Sequence, residues 1–118
     1  MKNILILGGG GFIGKNLLNL INSHDLAKSF GKYVTSSSLN SSCKDISENY
    51  TIFNLRLSEV EKIKNVISEN RISTIIHLVS SLIPSSDKND YKKELEDVVS
   101  PSSDLFSYAA ENDVKVIF

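Results

Sequence analysis

The chain has 118 residues, 41% of them hydrophobic and 23% charged, with 13 basic against 14 acidic side chains. That is enough for one domain with a packed core and too little for two ordinary ones. The apolar share excludes wholesale disorder, and a net charge of −1 provides no global field for nucleic acid or an anionic membrane. No nucleic-acid or membrane partner is expected. A single cysteine, Cys43, excludes an internal disulfide framework, and the apolar run after Met1-Lys2-Asn3 is too brief for a signal peptide. No run reaches the roughly 18 apolar residues of a bilayer span, so the expected location is cytoplasmic.

In chain order, Ile4-Leu5-Ile6-Leu7 is a continuous apolar run ended by glycine, the pattern of a strand buried on both faces. From Phe12, apolar side chains at Ile13, Leu17, Leu18, Leu20 and Ile21 mark a helical stripe that fades at Asn22-Ser23. Lys32 to Ser36 is rich in strand formers, Ser36 to Ser47 is a serine-heavy loop, and Tyr50 to Phe53 is a third strand. Ser58-Glu59-Val60-Glu61 reads as a capping box, opening a helix whose face is Val60, Ile63, Val66 and Ile67. Ser73 to Val79 is a fourth strand and Ser80 to Asp90 a loop. Helix follows over about Tyr91 to Glu111, interrupted at Pro101, with Ser100 capping a second segment. Val114 to Phe118 is a fifth strand. This alternation predicts a Rossmann-type α/β fold, a doubly wound parallel sheet in the order 3-2-1-4-5 with helices on both faces. An apolar strand with no polar tail behind it suggests a cut, so residues 1–118 are expected to be one domain of a longer protein.

Five of the six glycines fall within seven positions, Gly8-Gly9-Gly10-Gly11-Phe12-Ile13-Gly14, between the first strand and the first helix. Gly8 would let the chain leave the strand in a tight turn. Gly11 would let the backbone approach a pyrophosphate, and Gly14 would let helix and strand pack closely. The positive end of the helix would then face the phosphates. The same stretch stands near G-x-x-x-x-G-K-[ST], the P-loop, through Gly9, Gly14 and Lys15. Asn16 in place of the metal-holding hydroxyl, the bulk of Phe12 and Ile13, and the lack of an aspartate at a later strand end weigh against it. A P-loop NTPase stays as a remote alternative.

These residues resemble the extended short-chain dehydrogenases/reductases, specifically the NAD-dependent epimerase/dehydratase family acting on nucleotide sugars. That family opens with T-G-G-x-G-F-I-G, which Leu7-Gly8-Gly9-Gly10-Gly11-Phe12-Ile13-Gly14 matches except at Leu7. Its D-[LI] after the third strand, which contacts the adenine, aligns with Asn54-Leu55, an amide replacing the carboxylate. Its V-[IV]-H-L-A-A aligns with Ile75-Ile76-His77-Leu78-Val79-Ser80, where Val79 and Ser80 replace small alanines. An asparagine that opens the next helical segment would fall near Val98 or Val99 and is absent. The resemblance implies a cofactor site of Gly8, Gly11, Phe12, Ile13, Gly14, Asn54, Leu55, Leu78, Val79 and Ser80.

An NAD-binding domain usually ends its second strand with an acid that grips the ribose 2′-OH. Here that place falls on Ser37 or Ser38, so NAD or NADP is the expected cofactor, with a slight lean toward tolerance of NADP. His77, alone in an apolar strand, reads as a core residue, His24 as a solvated one, and no metal site is expected. The family's Y-x-x-x-K pair, in which tyrosine is the acid/base, has no counterpart: Tyr33, Tyr50, Tyr91 and Tyr108 lead four residues on to Ser37, Asn54, Leu95 and Asn112. No catalytic residue is therefore expected in this chain. The resemblance implies the NAD(P)-binding portion of a sugar-nucleotide epimerase, dehydratase or reductase, inactive by itself. A nucleotide-sugar substrate and a possible homodimer would belong to the full-length protein. The alternative is a non-catalytic dinucleotide-binding or sensor module.

Overall fold

The computed structural model describes residues 2–23, 30–36, 50–79 and 92–118. Five parallel strands form one sheet: β1 (Lys2–Leu7), β2 (Phe30–Ser36), β3 (Thr51–Asn54), β4 (Ile72–His77) and β5 (Lys115–Ile117), in the order β3-β2-β1-β4-β5. The helices are α1 (Phe12–Asn22), α2 (Val60–Glu69) and α3 (Ser100–Glu111), the last entered through a π turn at Leu95–Val99. The expected order and elements are present, with strand ends displaced by at most two residues. The serine-rich loop, the loop after Ser80, Cys43 and His24 lie outside the described residues.

Strand alternation divides the core into two layers. Leu5 and Leu7 of β1 and Ile75 of β4 point to one face, where Ile63, Val66 and Ile67 of α2 and Leu105 and Ala109 of α3 cover them. Ile6 and Val34 point to the other, under Leu18 of α1 and beside Tyr50, whose hydroxyl donates to the Leu18 carbonyl at 3.3 Å. This is why β1 reads as an unbroken apolar run: both of its faces are buried. No helix among the described residues is long and apolar enough to cross a membrane.

Two local expectations are corrected. Ser58 and Glu61 do not form a capping box. The carboxylate that reaches back is Glu59, whose Oε2 accepts the Arg56 N–H at 2.8 Å while its own N–H donates to the Arg56 carbonyl at 3.0 Å. The reciprocal pair therefore forms two residues earlier, on the turn that leads into α2, with Glu59 itself as the residue before the helix. Nor does Ser100 cap a new segment at Pro101. Ser100 has helical dihedrals, φ −65° and ψ −48°, and its N–H donates to the Leu95 carbonyl five residues back. Pro101 has no N–H for the Asp97 carbonyl, and its ring would press on that carbonyl in a regular α turn. The wider π turn relieves the conflict without ending the helix.

Candidate cofactor crevice

The strand order reverses between β1 and β4, so the connections leaving these two strands part to opposite sides. A crevice of about 530 Å³ opens there at the carboxyl ends of the strands, where open α/β sheets place ligands. Its floor is the glycine turn. Gly8 adopts φ +80°, and a Cβ there would sit 3.0 Å from Val79 Cγ2 and 3.2 Å from the Val79 nitrogen. A Cβ on Gly14 would lie 2.7 Å from the Gly8 carbonyl oxygen and 2.7 Å from Gly9 Cα, and backbone cannot move aside. Gly9, which the motif reading left without a task, is held small by the Val34 side chain. Gly11 differs. The nearest atom to a Cβ there is the Gly8 carbonyl oxygen at 3.6 Å, an ordinary contact.

The turn's amides divide into two sets. The Gly8 and Gly9 N–H groups both donate to the Thr35 carbonyl at 3.1 Å, and the Gly11 N–H donates to the Gly8 carbonyl at 3.3 Å. These bonds close the loop onto β2. The first helical bond runs from the Lys15 N–H to the Gly11 carbonyl, 2.9 Å. Phe12, Ile13 and Gly14 therefore occupy the first-turn positions, whose N–H groups have no acceptor within the helix. No side chain caps α1 and no acidic residue stands in its first turn, so nothing there offsets the positive end of the dipole. Phe12 and Ile13 are 84% and 65% exposed beside it. Asn16 donates its Nδ2 to the Phe12 carbonyl at 2.8 Å, spending on its own helix the side chain that a P-loop would turn to a metal.

The other walls come from β3 and β4. The Leu78 N–H donates to the Leu7 carbonyl at 3.0 Å, which carries Leu78 and Val79 over the glycine turn. At the end of β3 the Leu55 N–H donates to the Phe53 carbonyl at 3.0 Å, a three-residue turn with Asn54 at its corner. Asn54 is exposed and is not part of the crevice wall, whereas Leu55, Arg56, Leu57 and Ser58 are. Of the expected site residues, the structure thus brings together Gly8, Gly11, Phe12, Ile13, Gly14, Leu55, Leu78 and Val79. Ser37, Ser38 and Ser80 lie outside the described residues.

Sequence reasoning missed Thr35, Arg56, Leu57, Ser58, Asp97 and Val98, which also line the crevice. Arg56 and Asp97 are its only charged residues among those described. Asp97 lies on the π turn. The family's asparagine would fall near Val98 or Val99 and is absent there; Asp97 precedes them in the chain.

His77 stands apart from the crevice, lining a second cavity of about 560 Å³ with Ser102, Phe106 and Phe118. Its Nε2 is 2.9 Å from the Ser102 hydroxyl, its ring lies 5.8 Å from that of Phe106, and burial pushes its pKa below the ordinary histidine value. It is a core histidine joining β4 to α3.

The sequence profile of the NAD-dependent epimerase/dehydratase family matches residues 4–118. No curated protein matches in sequence. Among solved structures, the fold superposes on the UDP-Glc/GlcNAc 4-epimerase of Campylobacter jejuni with a TM-score of 0.82 at 21% identity, covering 100% of this chain and 36% of that one. It also superposes on a dTDP-glucose 4,6-dehydratase from Bacillus anthracis in complex with NAD (TM-score 0.77, 18% identity, 98% and 36% covered). A third likeness is to the L-threonine dehydrogenase of Clostridium difficile (TM-score 0.76, 21% identity, 98% and 35% covered). The chain spans little more than a third of the length of these proteins. With the family profile matched over nearly the whole sequence, the chain belongs to the NAD-dependent epimerase/dehydratase family.

Proposed function

We propose that the crevice binds NAD or NADP, and that the chain is the cofactor-binding part of a nucleotide-sugar epimerase, dehydratase or reductase. The observation that carries this reading is the glycine turn at the strand reversal. Gly8 and Gly14 are required by the chain's own packing, but Gly11 is not. A glycine kept where a Cβ has room fits a ligand that comes close to the backbone at that point. The first-turn amides of Phe12, Ile13 and Gly14 hold the pyrophosphate. Leu55, with Asn54 at the turn beside it, takes the adenine end. Leu78 and Val79 flank the rest of the dinucleotide, and Ser37, Ser38 and Ser80 complete the set. When bound, the nicotinamide supplies hydride acceptance and donation. The acid/base tyrosine and its lysine have no counterpart in this chain, so it binds without turning over. A nucleotide-sugar substrate and a homodimer belong to the full-length protein.

Thermal unfolding followed by circular dichroism tests the reading. At 100 times the dissociation constant, a dinucleotide that binds only the folded state adds about 2.7 kcal/mol of stability. A rise in Tm with NAD⁺ or NADP⁺, absent with adenosine alone at equal concentration, is expected. No rise with either dinucleotide at millimolar concentration contradicts it.

A further inference from the structure

Arg56 and Asp97 are the charged residues that line the crevice among those described, and nothing above gives either a task. The sheet order separates them. Arg56 follows the end of β3 at one edge of the sheet, whereas Asp97 lies on the π turn in the connection from β4 to β5. From β3 to β4 there are three strand spacings, roughly 14 Å. Val98, next to Asp97, lines both the crevice and the cavity beside His77 and Phe118, at the ends of β4 and β5. Both charged side chains are exposed, and among the described residues neither forms a salt bridge. The crevice therefore carries a cation at one end and an anion at the other.

The dinucleotide reading says which half of the ligand meets which charge. With the pyrophosphate over the start of α1 and the adenine at Leu55, the nicotinamide half extends past Leu78 and Val79 toward Asp97. The adenosine half carries the same charge in either oxidation state. The nicotinamide ring is a cation when oxidised and is neutral once it has accepted hydride. A carboxylate at that end attracts the cation and finds no net charge on the reduced ring. A bound dinucleotide also displaces water from the crevice, and the lower local dielectric strengthens the attraction. We propose that Asp97 biases the crevice toward the oxidised dinucleotide, an inference that rests on the dinucleotide reading above. Arg56, beside the adenosine half, acts on both oxidation states alike.

Calorimetric titration with NAD⁺ and with NADH, at one fixed low salt concentration, tests this on the native sequence and on Asp97→Asn, Glu96→Gln and Arg56→Gln. NADP⁺ and NADPH replace that pair if only the phosphorylated dinucleotide binds. Asp97→Asn keeps the size of the side chain and removes its charge. Glu96→Gln makes the same change in net charge one residue away, on an exposed side chain outside the crevice lining. Asp97→Asn is expected to lower the affinity for the oxidised form relative to the reduced form about fivefold or more. Glu96→Gln and Arg56→Gln should each move that ratio less than about twofold. An unchanged ratio in Asp97→Asn, including an equal loss of both affinities, would make Asp97 a general wall residue and overturn the assignment. A ratio shift as large in Glu96→Gln or Arg56→Gln would reduce it to an effect of net charge and overturn it too. Either result leaves the dinucleotide reading standing. If the native chain binds neither oxidation state, the dinucleotide reading falls and takes Asp97 with it.

Discussion

Gly11 and Gly14 are three residues apart in one turn, yet their side-chain hydrogens face different surroundings. At Gly14 an added methyl meets the Gly8 carbonyl oxygen and Gly9 Cα, both 2.7 Å away and both backbone. Gly14→Ala is expected to destabilise the fold by about 1–3 kcal/mol, the usual cost of forcing a methyl into packed space. At Gly11 the methyl has room, with its nearest neighbour at 3.6 Å. Gly11→Ala should therefore change unfolding free energy by less than about 1 kcal/mol. The same substitution should weaken dinucleotide binding about tenfold or more, since the methyl would stand where the pyrophosphate approaches. Urea unfolding and a binding titration on the two variants separate the cases. Equal destabilisation, or unimpaired binding by Gly11→Ala, would contradict the division of roles.

The secondary-structure elements were legible where one physical signal dominated. β1 and β4 are apolar on both faces, α1 and α2 carry clean stripes, and their order alone implies the reversal that opens the crevice. What escaped the sequence lies at element ends. Glu59 and Glu61 stand two apart and either could reach back to a preceding amide, so sequence cannot choose between them; the Arg56–Glu59 pair chose. Pro101 in a helical pattern signals a break, but a π turn absorbs it and carries Asp97 to the crevice. The helix exits were hidden as well. Arg71 and Asp113 take left-handed dihedrals, φ +50° and +56°, just past α2 and α3 without the glycine that usually announces such a stop.

The junction of β4 with α3 carries a pH dependence. His77 is held neutral by burial beside Ser102 and Phe106, its folded pKa depressed from 6.5. The unfolded chain therefore takes up this proton first as pH falls. Stability is fully present above about pH 6.5 and declines below it until the folded pKa is reached, by at most about 1.4 kcal/mol per pH unit. The Glu59 carboxylate, lowered chiefly by the Arg56 N–H and then by Lys62, acts in a separate window below its ordinary 4.5. Urea unfolding at pH 5.5 and 7.5 should show the loss in the native chain and a smaller one in His77→Gln. Identical pH dependence in the two would remove His77 as its source.

Across the whole molecule, three features converge on one place. The order β3-β2-β1-β4-β5 opens a crevice between β1 and β4. The glycine turn and the start of α1 form its floor, and Leu78 and Val79 its rim. The second cavity, beside His77 and Phe118, is the competing location on the same molecule and shares only Val79 and Val98 with the first. The sequence showed the glycines, Leu55, Leu78 and Val79 but not Arg56 and Asp97, which reach the wall through turns that no periodicity reveals. Amide chemical-shift mapping of the ¹⁵N-labelled chain during titration with NAD⁺ and NADP⁺ reports on every wall at once. The account predicts saturable shifts at Gly11, Phe12, Ile13, Gly14, Leu55, Leu78 and Val79, with Ser103, Phe106, Ser107 and Phe118 unmoved. No shifts, or shifts confined to the residues around His77 and Phe118, would contradict it.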